Sequence, residues 1–179
     1  MATEAPNPRV GVAAVIVNNR GQVLVGKRMG SHGAGKQHAA GQNKKGFKML
    51  TIVVWTGTWQ FPGGHLEHGE GLLECAVREA DEETGLSLHG IKIATQTNDI
   101  FKTEGKHYIT LFAKCVMNDP DAVPELREPN KCEGWVWWDW EKFFAGRKTG
   151  EVDGEKLFLP MENLLKQFDS VTELKKMFQ

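Results

Sequence analysis

The sequence predicts an α/β fold, a mixed β-sheet flanked by helices, and three observations lead there. Short apolar runs of β-type residues recur at 9–17, 22–27, 87–101, 107–117 and 131–140. Gly71 to Thr84 instead repeats its apolar residues at helical spacing. The C-terminal end does so again, at Pro160 to Phe168 and Val171 to Phe178.

From the N-terminus, Met1 to Pro8 is polar, carries two prolines and is expected to be a loose tail. Arg9 to Val17 reads as a buried strand. Asn18 to Gly21 supplies turn residues, and Gln22 to Lys27 alternates as the second strand of a hairpin. Lys27 and Arg28 leave the sheet at its rim. Gly30 to Lys36 satisfies the start of a phosphate-binding loop, G-x-x-x-x-G-K. Gln37 follows, however, where a Ser or Thr would hold a metal ion, so a glycine-rich connector is expected. Residues 36–57 form an insert, basic and glycine-containing at first, then an apolar β-type run from Met49 to Trp55 that could pair with a sheet edge.

Leu72, Leu73, Ala76, Val77 and Ala80 place Gly71 to Thr84 on a helix that ends at Gly85. Ser87 to Phe101 and His107 to Met117 pair as strands across a turn. Asn118 to Asn130 holds three prolines and is a long loop. Lys131 to Trp140 returns as a strand, followed by a short helix at Glu141 to Phe144 and a charged, glycine-spaced loop at 146–155. Strand alternation sends Trp135 and Trp137 to one face and Trp138 and Trp140 to the other. They therefore form no single base-stacking platform, and a core plus a homodimer interface is the expectation.

One domain of 179 residues is expected, long enough to bury a sizeable core. The formal net charge of −1 gives no overall attraction to nucleic acid or to an anionic membrane. The segment Lys44 to Lys48 is too short to alter that. No apolar run approaches the ~20 residues that span a bilayer, and no signal-peptide pattern opens the sequence. Cys75, Cys115 and Cys132 show no metal or redox spacing, so free thiols in a reducing compartment are expected, the cytosol first and the nucleus second.

The chemistry concentrates between Gly63 and Leu86. On the helix, Glu79, Glu82 and Glu83 stand at i, i+3 and i+4, on one face. Arg78 lies four residues before Glu82 and can pair with it. Like charges at this spacing repel by a few tenths of a kcal/mol each. A hard divalent cation, Mg2+ or Mn2+, would neutralise them and keep positions open for water and phosphates. A solvated acidic helix face is the bland alternative.

Gly64, Glu70, Arg78, Glu79, Glu82, Glu83, Gly85 and Leu86 fill every fixed position of the pattern Gly-x5-Glu-x7-Arg-Glu-U-x-Glu-Glu-x-Gly-U, where U is bulky and apolar. Ala80 takes the first U, where a larger aliphatic is usual. The segment thus resembles the Nudix box. The resemblance extends to Pro8-Arg9-Val10, Gly26-Lys27-Arg28, Trp59 to Glu67, Asn98 to Phe101, His107-Tyr108, Glu128 to Trp135 and Leu157 to Pro160. In these it is similar to the small MutT-like nucleoside-triphosphate diphosphatases, which include 8-oxo-dGTP-cleaving members. Two departures stand out: the insert, and Leu159 where that subgroup typically has an aromatic in the base pocket.

The resemblance implies an α/β/α sandwich and Mg2+-assisted attack of water on a phosphate chain, with Mn2+ as a substitute. Sanitising of oxidised dGTP is the activity that follows for this subgroup. It implies Glu79, Glu82, Glu83 and the Gly63 carbonyl as metal ligands, with Glu79 or Glu82 accepting the proton. Glu70 would brace the helix start. Lys27, Arg28, Gly63, Gly64 and His65 are candidates for the phosphates, and Gln60, Leu157 and Phe158 for the base. For Lys27 and Arg28 surface solvation competes, for His65 a structural role, and for Phe158 the core. Rival expectations are a Nudix enzyme for another pyrophosphate, such as ADP-ribose or NADH, and a catalytically impaired binding module.

Overall fold

The computed structural model describes residues 7–29 and 57–179. The expected phosphate-loop decoy and all of the insert but Gly57 lie outside the described residues, as does most of the N-terminal tail.

The strands β1 (Arg9–Ile16), β2 (Val23–Arg28), β3 (Trp59–Gln60) and β4 (Gly63–His65) precede helix α1 (Leu72–Thr84). Strands β5 (Leu88–Phe101), β6 (Lys106–Met117) and β7 (Cys132–Trp138) follow, then α2 (Trp140–Ala145). A small hairpin of β8 (Glu151–Val152) and β9 (Glu155–Lys156) leads to α3 (Leu159–Leu165) and α4 (Val171–Phe178). A four-stranded sheet has the order β4-β1-β6-β5, and a three-stranded sheet the order β3-β2-β7. The larger sheet is mixed, because β1 runs parallel to β6 and antiparallel to β4.

Alternation along β1 explains the layers. Val12, Ala14 and Ile16 join Cys75, Ala76 and Ala80 of α1 in one core cluster. Val15 points the other way, into a second cluster with Phe143 of α2, Leu164 and Leu165 of α3, and Leu174 and Phe178 of α4. A strand buried on both faces therefore separates two helical layers, an α/β/α arrangement. Trp140 stacks on Phe178 at 5.8 Å, tying α2 to α4. Such a pair adds about 0.5–1.5 kcal/mol beyond burial. The tryptophans divide as the alternation predicts: Trp135 and Trp137 pack against the first cluster, Trp138 and Trp140 lie in the second.

The expected β1–β2 hairpin is the main departure. Asn18 does form the turn, its Oδ1 accepting from the Arg20 and Gln22 amides. Yet the two strands meet only at a Val17–Val23 bridge. Strand β1 takes β4 and β6 as its partners, because a strand apolar on both faces gains most from the centre of the sheet. Strands β3 and β4 and the β8–β9 hairpin carry too few residues to show a periodicity, and the sequence reading assigns 146–155 to a loop. No helix among the described residues is long and apolar enough to cross a membrane.

Candidate active site

Strand β4 and helix α1 meet at the acidic end of a cavity of ≈300 Å³. On α1, Glu79 and Glu83 both line it, with Gly63 and Gly64 of β4 opposite. Glu82 does not: its side chain is 55% exposed and pairs with Arg78 at 3.3 Å. Residues turn by about 100° per position on a helix, so Glu79 and Glu83 stay nearly aligned while Glu82 swings aside. The predicted three-carboxylate face is thus a pair inside the cavity and a third group beyond its edge.

Glu83 is only 7% exposed. Burial pushes its carboxyl up to about 8, the charge of Glu79 pushes the same way, and the Gly63 N–H opposes. That N–H donates to the Glu83 carboxylate at 3.1 Å. Burial raises Glu79 too, against the pull of Arg78. Both glycines are required. A Cβ on Gly63 would press on the Val12 carbonyl, at a φ of 154° that side chains rarely adopt. A Cβ on Gly64 would meet the Glu79 carboxylate.

Arg78 holds this helix end in register. It pairs with Glu70 at 2.7 Å, Glu79 at 3.0 Å and Glu82. The guanidinium keeps Glu70 down at about 2, so Glu70 is a brace, as expected. The Gly71 amide at the head of α1 donates to Glu74.

The other end of the cavity is aromatic. Phe101 and Phe158 face each other at 5.5 Å, and the Arg28 guanidinium lies 4.4 Å over the Phe158 ring. Arg28 Nη1 donates to Gln60 Oε1. Its Nε is buried without a hydrogen-bond partner among the described residues. Desolvation lowers the Arg28 pKa. Tyr108 packs edge-on against Phe101, and its hydroxyl bonds to His65 Nε2 at 3.1 Å. Burial and the nearby Arg9, Lys106 and Arg28 charges lower the His65 pKa.

Of the sequence candidates, Arg28, Gln60, Gly63, Gly64, His65, Glu79, Glu83 and Phe158 come together here. Lys27 does not line the cavity: alternation along β2 turns it away from Arg28, onto Glu155 and Glu133. Leu157 lies in the core cluster at 1% exposure. The cavity is lined by Phe158, Pro160 and Met161, with Leu159 not among them. Sequence reasoning passed over Phe101, Thr110 and Lys131, which also line it. Phe101 and Lys131 do lie in two of the segments that carry the family resemblance, 98–101 and 128–135, which was the available signal.

The donor set can be tested for a divalent ion. No group of three His, Cys, Asp or Glu side chains among the described residues is arranged to hold a metal alone. Two carboxylates, Glu83 buried and Glu79 half-buried, beside close backbone fit a hard divalent cation that keeps several waters and takes one or two carboxylates plus substrate phosphates. Glu79 and Glu83 are the residues that would hold it.

Comparison with solved structures shows the same fold. The MutT protein of Methanosarcina mazei Go1 superposes with a TM-score of 0.64 at 22% identity, over 93% of this chain and 96% of that one. A MutT NUDIX hydrolase from Burkholderia pseudomallei gives 0.61 at 22% identity, over 90% and 98%. A C. elegans Ap4A hydrolase gives 0.55 at 18%, over 92% and 98%. The NUDIX domain family matches residues 7–160. With that match over most of its length, the chain belongs to the Nudix family and is a pyrophosphohydrolase of nucleoside diphosphate derivatives, a class that uses divalent metal ions.

Proposed function

We propose that the protein is a Mg2+-dependent nucleotide diphosphatase that cleaves a dGTP-type nucleoside triphosphate, oxidised dGTP included, into a nucleoside monophosphate and pyrophosphate. The observation that carries this reading is the two-ended cavity. Two carboxylates, Glu83 buried and Glu79 half-buried, stand with bare glycine backbone at one end, and an aromatic wall of Phe101 and Phe158 beside donors at the other.

The donors favour a keto purine. Gln60 Oε1 is occupied by Arg28, so the Gln60 amide nitrogen is left to offer its two N–H groups. Those suit the acceptors O6 and N7 of a guanine-type ring. Phe158 and Phe101 supply apolar faces for it.

At the other end, Glu79 and Glu83 would hold the ion, which when bound would offset phosphate charge and lower the pKa of water. Gly63 and Gly64 let the phosphate chain approach the backbone. His65, neutral at pH 7 with its ring held by Tyr108, donates to a phosphate oxygen. Glu79 accepts the proton of the attacking water: it lies in the cavity, whereas Glu82 lies beyond it.

The test is a panel of 8-oxo-dGTP, dGTP, dCTP, ADP-ribose and NADH with and without EDTA, products identified by chromatography. Pyrophosphate and dGMP-type products, in Mg2+ only, are expected. Faster turnover of ADP-ribose or NADH than of either guanine nucleotide would overturn the substrate assignment.

A further inference from the structure

The turn at 128–131 sits between β6 and β7 and carries a cation into the acidic end of the cavity. Lys131 lines the same cavity as Glu79 and Glu83. Its Nζ pairs with Glu128 at 2.5 Å, across a turn closed by the Lys131 N–H donating to the Glu128 carbonyl. The Lys131 carbonyl accepts from the Met29 amide at 2.6 Å, which pins the turn beside Arg28 at the end of β2. A flexible surface lysine has no such tether.

The cations around the cavity divide by position. Lys27 is committed to Glu155 and Glu133, on another face. Arg28 bonds Gln60 and covers Phe158 at the aromatic end, with its charge also reaching Glu83. Lys106 raises the local positive charge at His65, beside Tyr108. Lys131 shares the cavity with the carboxylate pair: its hydrogen bond with Glu128 is the main cause raising its pKa, the charges of Glu83 and Glu79 add to it, and together with Arg78 it opposes the burial that raises the pKa of Glu79. A lysine held beside carboxylates that bind an ion is placed to meet the ligand that arrives with the ion.

We propose that Lys131 is a phosphate-anchoring residue of this site, with Glu128 as the positioning residue that aims its ammonium at the phosphate chain. The inference rests on the nucleotide-diphosphatase reading above, but not on the identity of the base. Lysine suits the task as a compact point charge with three donors. The pair with Glu128 is exposed enough to be exchanged for a phosphate oxygen at small cost.

The experiment uses the full chain in Mg2+ and reads binding as well as rate. The probes are the non-hydrolysable α,β-imido-dGTP, inorganic tripolyphosphate and deoxyguanosine, measured by calorimetry, with dGTP turnover alongside. Lys131→Ala is expected to weaken both polyphosphates about tenfold. KM for dGTP rises in proportion, while kcat and deoxyguanosine binding stay within about twofold. Lys131→Arg restores most of the loss, and Glu128→Gln gives an intermediate effect. Unchanged polyphosphate affinity in Lys131→Ala, or an equal loss for deoxyguanosine, would overturn the proposal. Wild-type protein that binds tripolyphosphate through Lys131 but turns over no nucleotide would sink the enzymatic reading and leave the anchor standing.

Discussion

The Glu79 carboxylate fills the space that a side chain on Gly64 would need. One catalytic candidate on α1 and one bare position on β4 thus determine each other, and the first prediction tests them as a pair. Gly64→Ala should push the flexible end of Glu79 aside and cut kcat by about a hundredfold. Its melting temperature should barely move, since only a side-chain tip is displaced. Gly63→Ala should instead cost about 1–3 kcal/mol of stability, because it clashes with the Val12 carbonyl and needs a disfavoured φ. Chemical denaturation of both variants distinguishes the two effects; equal destabilisation would refute the distinction.

Glu83 is buried at a cost that a cation relieves. Glu83→Gln removes the charge yet keeps an oxygen to accept from the Gly63 amide. Without divalent ions the variant should therefore melt at or above the wild-type temperature. Adding millimolar Mg2+ should raise the wild-type Tm and leave the variant unmoved, and turnover should fall to background. A variant as responsive to Mg2+ as the wild type would remove Glu83 from the ligand set.

The Glu70–Arg78 pair gives a pH signature. Folding holds the Glu70 pKa at about 2, below the ~4.3 of an unperturbed glutamate. A depressed carboxyl pKa contributes stability above the unfolded value, and that contribution is lost as pH falls toward the folded one. Glu70→Gln should thus be less stable than wild type at pH 6, with the gap closing between about pH 4.3 and 2. Urea midpoints across that range measure it. A gap independent of pH would mean that packing, not charge, is what Glu70 supplies.

The three cysteines are buried free thiols. Burial pushes Cys75 and Cys115 up to about 12, and raises Cys132 as well. Only the thiolate reacts. Native protein at pH 8 should therefore titrate almost no thiol with Ellman's reagent, and three thiols per chain in guanidinium. Rapid labelling of one thiol in the native state would contradict the packing around it.

Where the sequence was legible, the reason is local. The α1 register, the glycines on either side of it and the Glu70–Arg78 brace lie within one short stretch, and helical geometry alone relates them. The long strands β5 and β6 were legible because β-type residues recur over many positions on either side of a turn. Strands β3 and β4 were not, since a two- or three-residue strand exists only through its partners.

By itself, then, the sequence determined the family, the acidic helix and the division of the tryptophans between two faces. Tertiary structure alone decided that Glu79 and Glu83, but not Glu82, enter the cavity. It also turned Lys27 outward, sank Leu157 into the core, and brought Phe101, at the end of β5, and Lys131, just ahead of β7, to the same site. Spacing along a helix or strand fixes a side chain's direction only relative to its own element. What that direction meets is set by how β1, β4 and β6 register across the sheet, which no local pattern encodes.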